Sequence, residues 1–115
     1  MNMKKLKITF FEIEPWETDY LKPKLKGFDL AFFEEKITPE ILKKISGVDI
    51  LSPFIYSVLD KKILNSLKSL KFITTRSTGF DHLDLETCKD KNILVSNVPS
   101  YGENTVAEHT FSLIL

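Results

Sequence analysis

A single cysteine, Cys88, leaves no possibility of a disulfide within the chain. A reducing compartment, the cytoplasm, is the simple expectation, and nothing around Cys88 points to a catalytic thiol. Acidic and basic residues balance at 16 against 16, so no excess charge points to nucleic acid or to an anionic membrane. No long hydrophobic run is present either. The start MNMKKLKITFF places lysines before an apolar run, but that run lasts only about four residues before Glu12, too short for a signal-peptide core or a membrane span. The four glycines stand alone, at 27, 47, 79 and 102, so the G-x-G-x-x-G fingerprint of dinucleotide binding is missing. No His/Cys/Asp/Glu spacing suggests a metal site.

What is there is an ordinary globular composition. Hydrophobic residues make up 43% and charged residues 28% of 115 positions, which is enough for one domain with its own core and not for two. Residues 1–115 are therefore read as one domain.

Apolar and β-branched runs alternate with helical patterns. Strands are expected at 8–11, 28–33, 48–52, 72–75 and 93–95. Pro15 suits the first turn of a helix. Thr38-Pro39-Glu40 is a second start, with Ile41, Leu42 and Ile45 as its buried stripe and Gly47 as its end. Asp60 caps a third helix, with Ile63, Leu64 and Leu67 facing inward, and Asp84 caps a fourth, with Glu86 in the first turn. A last helix begins near Asn104. Five strands alternating with five helices predict an α/β three-layer fold, a five-stranded parallel sheet with helices on both faces. Right-handed crossovers make the flavodoxin-like order 2-1-3-4-5 the natural choice at this length.

In such a sheet, ligands bind beyond the carboxyl ends of the strands. The loops there are 12–14, 53–57, 77–82 and 99–103. Ser77-Thr78-Gly79 is the best candidate among them. A glycine at a strand end lets successive backbone N–H groups line a concavity suited to an anion. On spacing alone, a plain turn is the stronger reading.

RSTGFDHLDL followed by SNVPSYGENTVAEHT resembles the D-isomer-specific 2-hydroxy-acid dehydrogenases, the family of D-lactate, phosphoglycerate and formate dehydrogenases. The likeness is strong from Phe72 to Leu115 and weaker but collinear from Ile8. It covers only the N-terminal part of the family's length.

The resemblance implies a flavodoxin-like substrate-binding domain and an enzyme that uses NAD to oxidise or reduce a small 2-hydroxy or 2-keto acid. It implies that the amides of Thr78 and Gly79, beside Ser77, hold the substrate carboxylate. Pro53-Phe54 resembles the pair lining the substrate channel in the formate branch. Tyr101 matches a substrate-contacting position in the lactate branch, and Thr105 one close to the cofactor in the complete enzyme; ordinary packing and a helix-start hydroxyl are the alternatives at these two. The family's catalytic Arg, Glu and His belong to later segments. Arg76, the only arginine, is therefore read as structural, and His82 and His109 do not inherit a catalytic role.

The family's cofactor loop would begin beyond residue 115, and the chain closes inside an apolar helical run. The expectation is an excised, engineered or truncated half of an enzyme, inactive alone and binding no cofactor without its NAD-binding domain. An autonomous non-catalytic flavodoxin-like domain, used as a scaffold, is the alternative. The last helix is expected to fold back about Gly102 onto the 15–21 helix as a monomer, or to be exchanged in a homodimer.

Overall fold

The computed structural model describes residues 5–45 and 47–98. In chain order these form β1 (Lys7–Phe10), α1 (Pro15–Leu21), β2 (Asp29–Phe32), α2 (Pro39–Leu42), β3 (Ile50–Ser52), α3 (Lys61–Ser66), β4 (Phe72–Thr74), α4 (Leu85–Asp90) and β5 (Leu94–Ser96). A 3-10 turn at Lys22–Lys24 follows α1. All pairings are parallel and the strand order is β2-β1-β3-β4-β5, as the alternation predicts.

Successive strand residues face opposite sides of a sheet, and two cores result. Ile8, Phe10 and Ile50 pack with Leu21 and Leu25 on the α1 side. Phe11, Leu51 and Ile73 pack with Ile41, Leu64 and Cys88 from α2, α3 and α4 on the other. The sheet is thus the middle of three layers. Phe10 stacks on Phe32 at 5.1 Å and Phe11 on Phe33 at 5.0 Å, which clamps the β1–β2 pair from both faces.

Each helix start follows from its local chemistry. Pro15 opens α1. Thr38 Oγ1 accepts the N–H of Ile41 at 3.3 Å, Asp60 Oδ1 that of Ile63 at 2.9 Å, and Asp84 Oδ1 that of Thr87 at 3.1 Å. These bonds satisfy amides that a first helical turn leaves without partners. The bond from the Thr87 backbone, then that from its hydroxyl, hold the Asp84 carboxyl below its ordinary range.

Every expected strand differs at one end or both, with β2, β3 and β4 shorter than 28–33, 48–52 and 72–75 and β1 and β5 shifted by one residue, and three boundaries have a visible cause. Helix α2 stops at Leu42 instead of running on to Gly47. The N–H groups of Lys44 and Ile45 reach back three residues, to Ile41 and Leu42, so the chain tightens out of the α-helix. Gly47 does adopt a left-handed φ of 65°, but in the turn before β3. Strand β1 begins one residue early because Lys7 pairs with Asp29 in the ladder. Strand β5 begins one residue late, because the N–H of Ile93 still closes α4 on the Cys88 carbonyl at 2.8 Å. The expected last helix, Gly102 and His109 lie outside the described residues. Among those described, no helix is long and apolar enough to cross a membrane.

Candidate functional site

Strand β1 lies between β2 and β3, so the direction of winding reverses there, and the crevice beyond the strand ends is the usual ligand position. A cavity of about 610 Å³ opens at that point, lined by Glu12, Ile13, Glu14, Pro15, Glu34, Lys36, Phe54 and Tyr56. Glu12 builds its wall. Its carboxylate accepts the N–H of Phe54 at 3.1 Å through Oε2 and that of Tyr56 at 2.9 Å through Oε1. Its own backbone is left-handed, with φ 55°. That conformation costs a non-glycine residue about 1–2 kcal/mol. The two charge-assisted bonds offset the cost and pin the β3–α3 loop. The Phe54 and Tyr56 rings meet edge to face at 6.4 Å.

Arg76, just beyond β4, is 2% exposed and joins three strand ends. Its Nη1 donates to the Ser52 carbonyl at 2.6 Å and Ser52 Oγ at 3.1 Å. Its Nη2 donates to the carbonyls of Phe11 at 2.7 Å and Glu12 at 3.0 Å. Its Nε faces Glu17 Oε2 at 3.3 Å, while Glu17 Oε1 accepts the N–H of Glu14 at 3.0 Å. Burial lowers the pKa of the guanidinium from its ordinary value, and Glu17 and Glu12 act against that. One planar five-donor group thus serves three carbonyls at strand ends, of which that of Ser52 also accepts the N–H of Phe11 at 3.0 Å. The bonds are structural, and they fix the floor under the loops.

The Ser77–Gly79 loop is oriented by its carbonyls. The Ser77 carbonyl accepts the N–H of Val98 at 2.9 Å, and the Thr78 carbonyl accepts Asn97 Nδ2 at 2.6 Å. In a trans peptide the N–H points opposite to the preceding C=O. The N–H groups of Thr78 and Gly79 therefore both face away from Asn97 and Val98. Among the described residues neither has an acceptor. Thr78 and Gly79 are exposed while Ser77 is buried. The result is two adjacent free donors on one side of a loop at the end of a central strand, an arrangement that suits a carboxylate.

The φ of Gly79 is not in the left-handed range, so no strain demands glycine there. An added Cβ would meet nothing within 4 Å. What the glycine leaves is open space beside the free amides.

His82 is 9% exposed at the far end of the same loop. Its Nε2 lies 3.0 Å from Thr75 Oγ1, which lies 2.7 Å from Ser77 Oγ, which donates to the Gly79 carbonyl at 2.7 Å. The His82 carbonyl accepts the N–H of Leu59 at 2.8 Å, tying the loop to the start of α3. Burial lowers the imidazole pKa, opposed by Glu12 and Asp81.

Of the residues singled out in the sequence, Pro53 and Phe54 directly follow β3, and Ser77, Thr78 and Gly79 follow the neighbouring β4. The Pro53 carbonyl accepts the N–H of Arg76 at 3.0 Å, so the two loops are joined directly. Phe54 lines the cavity, whereas Ser77, Thr78 and Gly79 do not. Tyr101 and Thr105 lie outside the described residues. Sequence reasoning missed Glu12, Thr75 and Asn97. For Glu12 the available signal was a carboxylate placed directly after an apolar strand; for Asn97 and Thr75 there was none.

The described residues do not fit a dinucleotide pyrophosphate. The turn from β1 to α1 carries Glu12 and Glu14, Pro15 has no N–H, and the N–H of Glu14 is taken by Glu17. An anion there would meet carboxylates instead of amides. Among the described residues no group of three or more His, Cys, Asp or Glu could hold a metal ion.

Residues 8–112 match the family described as D-isomer specific 2-hydroxyacid dehydrogenase, catalytic domain. The D-lactate dehydrogenase of Escherichia coli K12 is 27% identical over 114 residues, covering 96% of this chain and 35% of the enzyme. The D-lactate dehydrogenase of Staphylococcus epidermidis is 30% identical over 113 residues, covering 95% and 34%. Among solved structures, D-lactate dehydrogenase from Aquifex aeolicus complexed with NAD and lactic acid superposes with a TM-score of 0.77 at 34% identity, covering 93% of this chain and 32% of that one. The chain thus spans about a third of the length of the relatives it matches.

Proposed function

Because the chain belongs to the family of D-isomer specific 2-hydroxyacid dehydrogenases, matching its catalytic domain, we propose that it is the substrate-binding half of an NAD-dependent D-2-hydroxy-acid dehydrogenase. The observation that supports this reading is the pair of same-sided amides at Thr78 and Gly79, which have no acceptor among the described residues. They are the donors that a 2-hydroxy or 2-keto acid carboxylate needs. Fixing the carboxylate orients the reacting carbon, and orientation is a large part of what an enzyme contributes.

Bound NADH supplies the hydride that turns a 2-keto acid into a 2-hydroxy acid, with a proton taken up at the former carbonyl oxygen. This chain's part is positional. The amides of Thr78 and Gly79 hold the carboxylate, Ser77 supports them through its bond to the Gly79 carbonyl, and Pro53, Phe54 and Tyr101 shape the space beside it. Thr105 lies toward the cofactor in the complete enzyme. Residues outside this chain hold the cofactor and move the proton. The chain alone is without turnover and without useful affinity for NAD, as the acidic β1–α1 turn supports. Its buried lone thiol suits the cytoplasm.

The test is a nuclear magnetic resonance titration of the chain with pyruvate and with the inert analogue oxamate. The amides of Thr78 and Gly79 should shift more than any others. Unmoved resonances there at saturating ligand would refute the carboxylate assignment. In the full-length enzyme, Gly79→Ala should fold normally, since its methyl meets nothing within 4 Å. It should nevertheless lower kcat/KM by about 2 kcal/mol, because the methyl enters the space next to the donors.

A further inference from the structure

The three short contacts that run through the carboxylate loop have room for three protons and one direction. Ser77 Oγ donates to the Gly79 carbonyl at 2.7 Å, and a carbonyl has no proton to give. The single Ser77 proton is therefore spent there. The 2.7 Å contact between Thr75 Oγ1 and Ser77 Oγ must then use the Thr75 proton. That leaves Thr75 Oγ1 as an acceptor toward His82 Nε2 at 3.0 Å, so the imidazole donates. The rival for the Thr75 proton, the Pro53 carbonyl at 3.4 Å, is much the longer contact. Reversing the chain would leave Ser77 Oγ and the Gly79 carbonyl oxygen 2.7 Å apart with no proton between them.

From this ordering we infer that His82 is a positioning residue for the substrate carboxylate, held with its proton on Nε2, and that it acts on the Thr78 and Gly79 amides through Thr75 and Ser77. The inference rests on the carboxylate reading proposed for that loop. The relay ends on the Gly79 carbonyl, which fixes the peptide following Gly79. Val98 and Asn97 fix the two peptides before it. Three consecutive peptide planes are then set, and the two free amides are presented without having to be ordered when substrate arrives. All three relay residues are buried, with Thr75 at 0%, Ser77 at 6% and His82 at 9% exposure. Bonds in such a setting are stronger and cooperative.

The tautomer comes first. Long-range proton–nitrogen correlation spectra of the unliganded chain should show His82 neutral and protonated on Nε2; protonation on Nδ1 instead would overturn the inference. The variants follow. His82→Phe keeps bulk and removes the donor, whereas His82→Gln places an amide N–H near the position of Nε2. His82→Phe should displace the Thr78 and Gly79 amide resonances without ligand and weaken oxamate binding about five- to tenfold, the scale of one hydrogen bond. His82→Gln should restore both. Equal losses in the two variants, or wild-type spectra and affinity in His82→Phe, would refute the relay. If instead oxamate leaves the wild-type amides unmoved, the carboxylate reading fails, while the tautomer and the unliganded spectra still decide the role of His82 in ordering the loop.

Discussion

Replacing Arg76 by methionine removes the guanidinium but keeps most of the side-chain volume. Four hydrogen bonds are lost to Ser52, Phe11 and Glu12, together with the ion pair to Glu17. The damage is dominated by what stays behind. Glu17 is 8% exposed and would keep only the N–H of Glu14 as a partner among these. A buried charge stripped of its counter-ion typically costs about 3–5 kcal/mol, against a total stability of about 5–15 kcal/mol for a domain. With an m-value near 2 kcal/mol/M, a loss of about 4 kcal/mol moves the urea midpoint down by about 2 M. The assay is equilibrium unfolding followed by circular dichroism, at neutral pH, on wild type, Arg76→Met, Glu17→Gln and the double variant. Glu17→Gln in the Arg76→Met background should recover about half of the loss, because it removes the stranded charge and leaves only the carbonyls of Phe11 and Glu12 without the bonds that Arg76 gave them. A midpoint shift under about 0.5 M in Arg76→Met, or no recovery in the double variant, would refute the argument that Arg76 holds the strand ends together.

Three further outcomes are expected. Asp60→Ala should destabilise by about 1 kcal/mol, the usual value of a helix cap, since Asp60 accepts the N–H of Ile63; a change within error by urea titration would show that the cap contributes nothing. Leu51→Ala removes a fully buried side chain from the larger core and should cost about 2–5 kcal/mol, read from the same titration. His82 has a lowered pKa, so the unfolded chain takes up a proton that the native imidazole resists. Its contribution is fully present above the unfolded value of 6.5 and falls away as pH drops through that value toward the folded one. Unfolding midpoints at pH about 7.5 and 5.5 should therefore differ less in His82→Gln than in wild type; an unchanged difference would count against it.

The layer order was legible because it rests on local patterns. Thr38, Asp60 and Asp84 announce helix starts within three residues of the amides they cap, and apolar runs announce buried strands. The end of α2 was not legible, because the bonds of Lys44 and Ile45 to Ile41 and Leu42 leave no mark in composition. In the site, the glycine loop was visible as a motif, but a motif does not tell whether its glycine supplies space or an unusual backbone angle; here it supplies space. The acceptors of Arg76 lie 24, 59, 64 and 65 positions away, so an isolated arginine could be noticed without its role being readable. Asn97 reaches Thr78 across 19 residues, only after β4 and β5 have paired.

Cys88 gives the molecule a built-in reporter of its own opening. The thiol is 1% exposed beneath α4, and burial, with a smaller contribution from Asp84, raises its pKa. A thiol-reactive dye attacks the thiolate, so in the native state it finds neither the ionised form nor a path to the sulfur. Labelling must wait until α4 lifts from the sheet. Because the chain has no second cysteine, the labelled fraction against time measures that one event without any engineered probe. A labelling rate that follows global stability across urea concentrations means that α4 leaves with the whole domain, whereas a rate insensitive to urea means that it detaches alone.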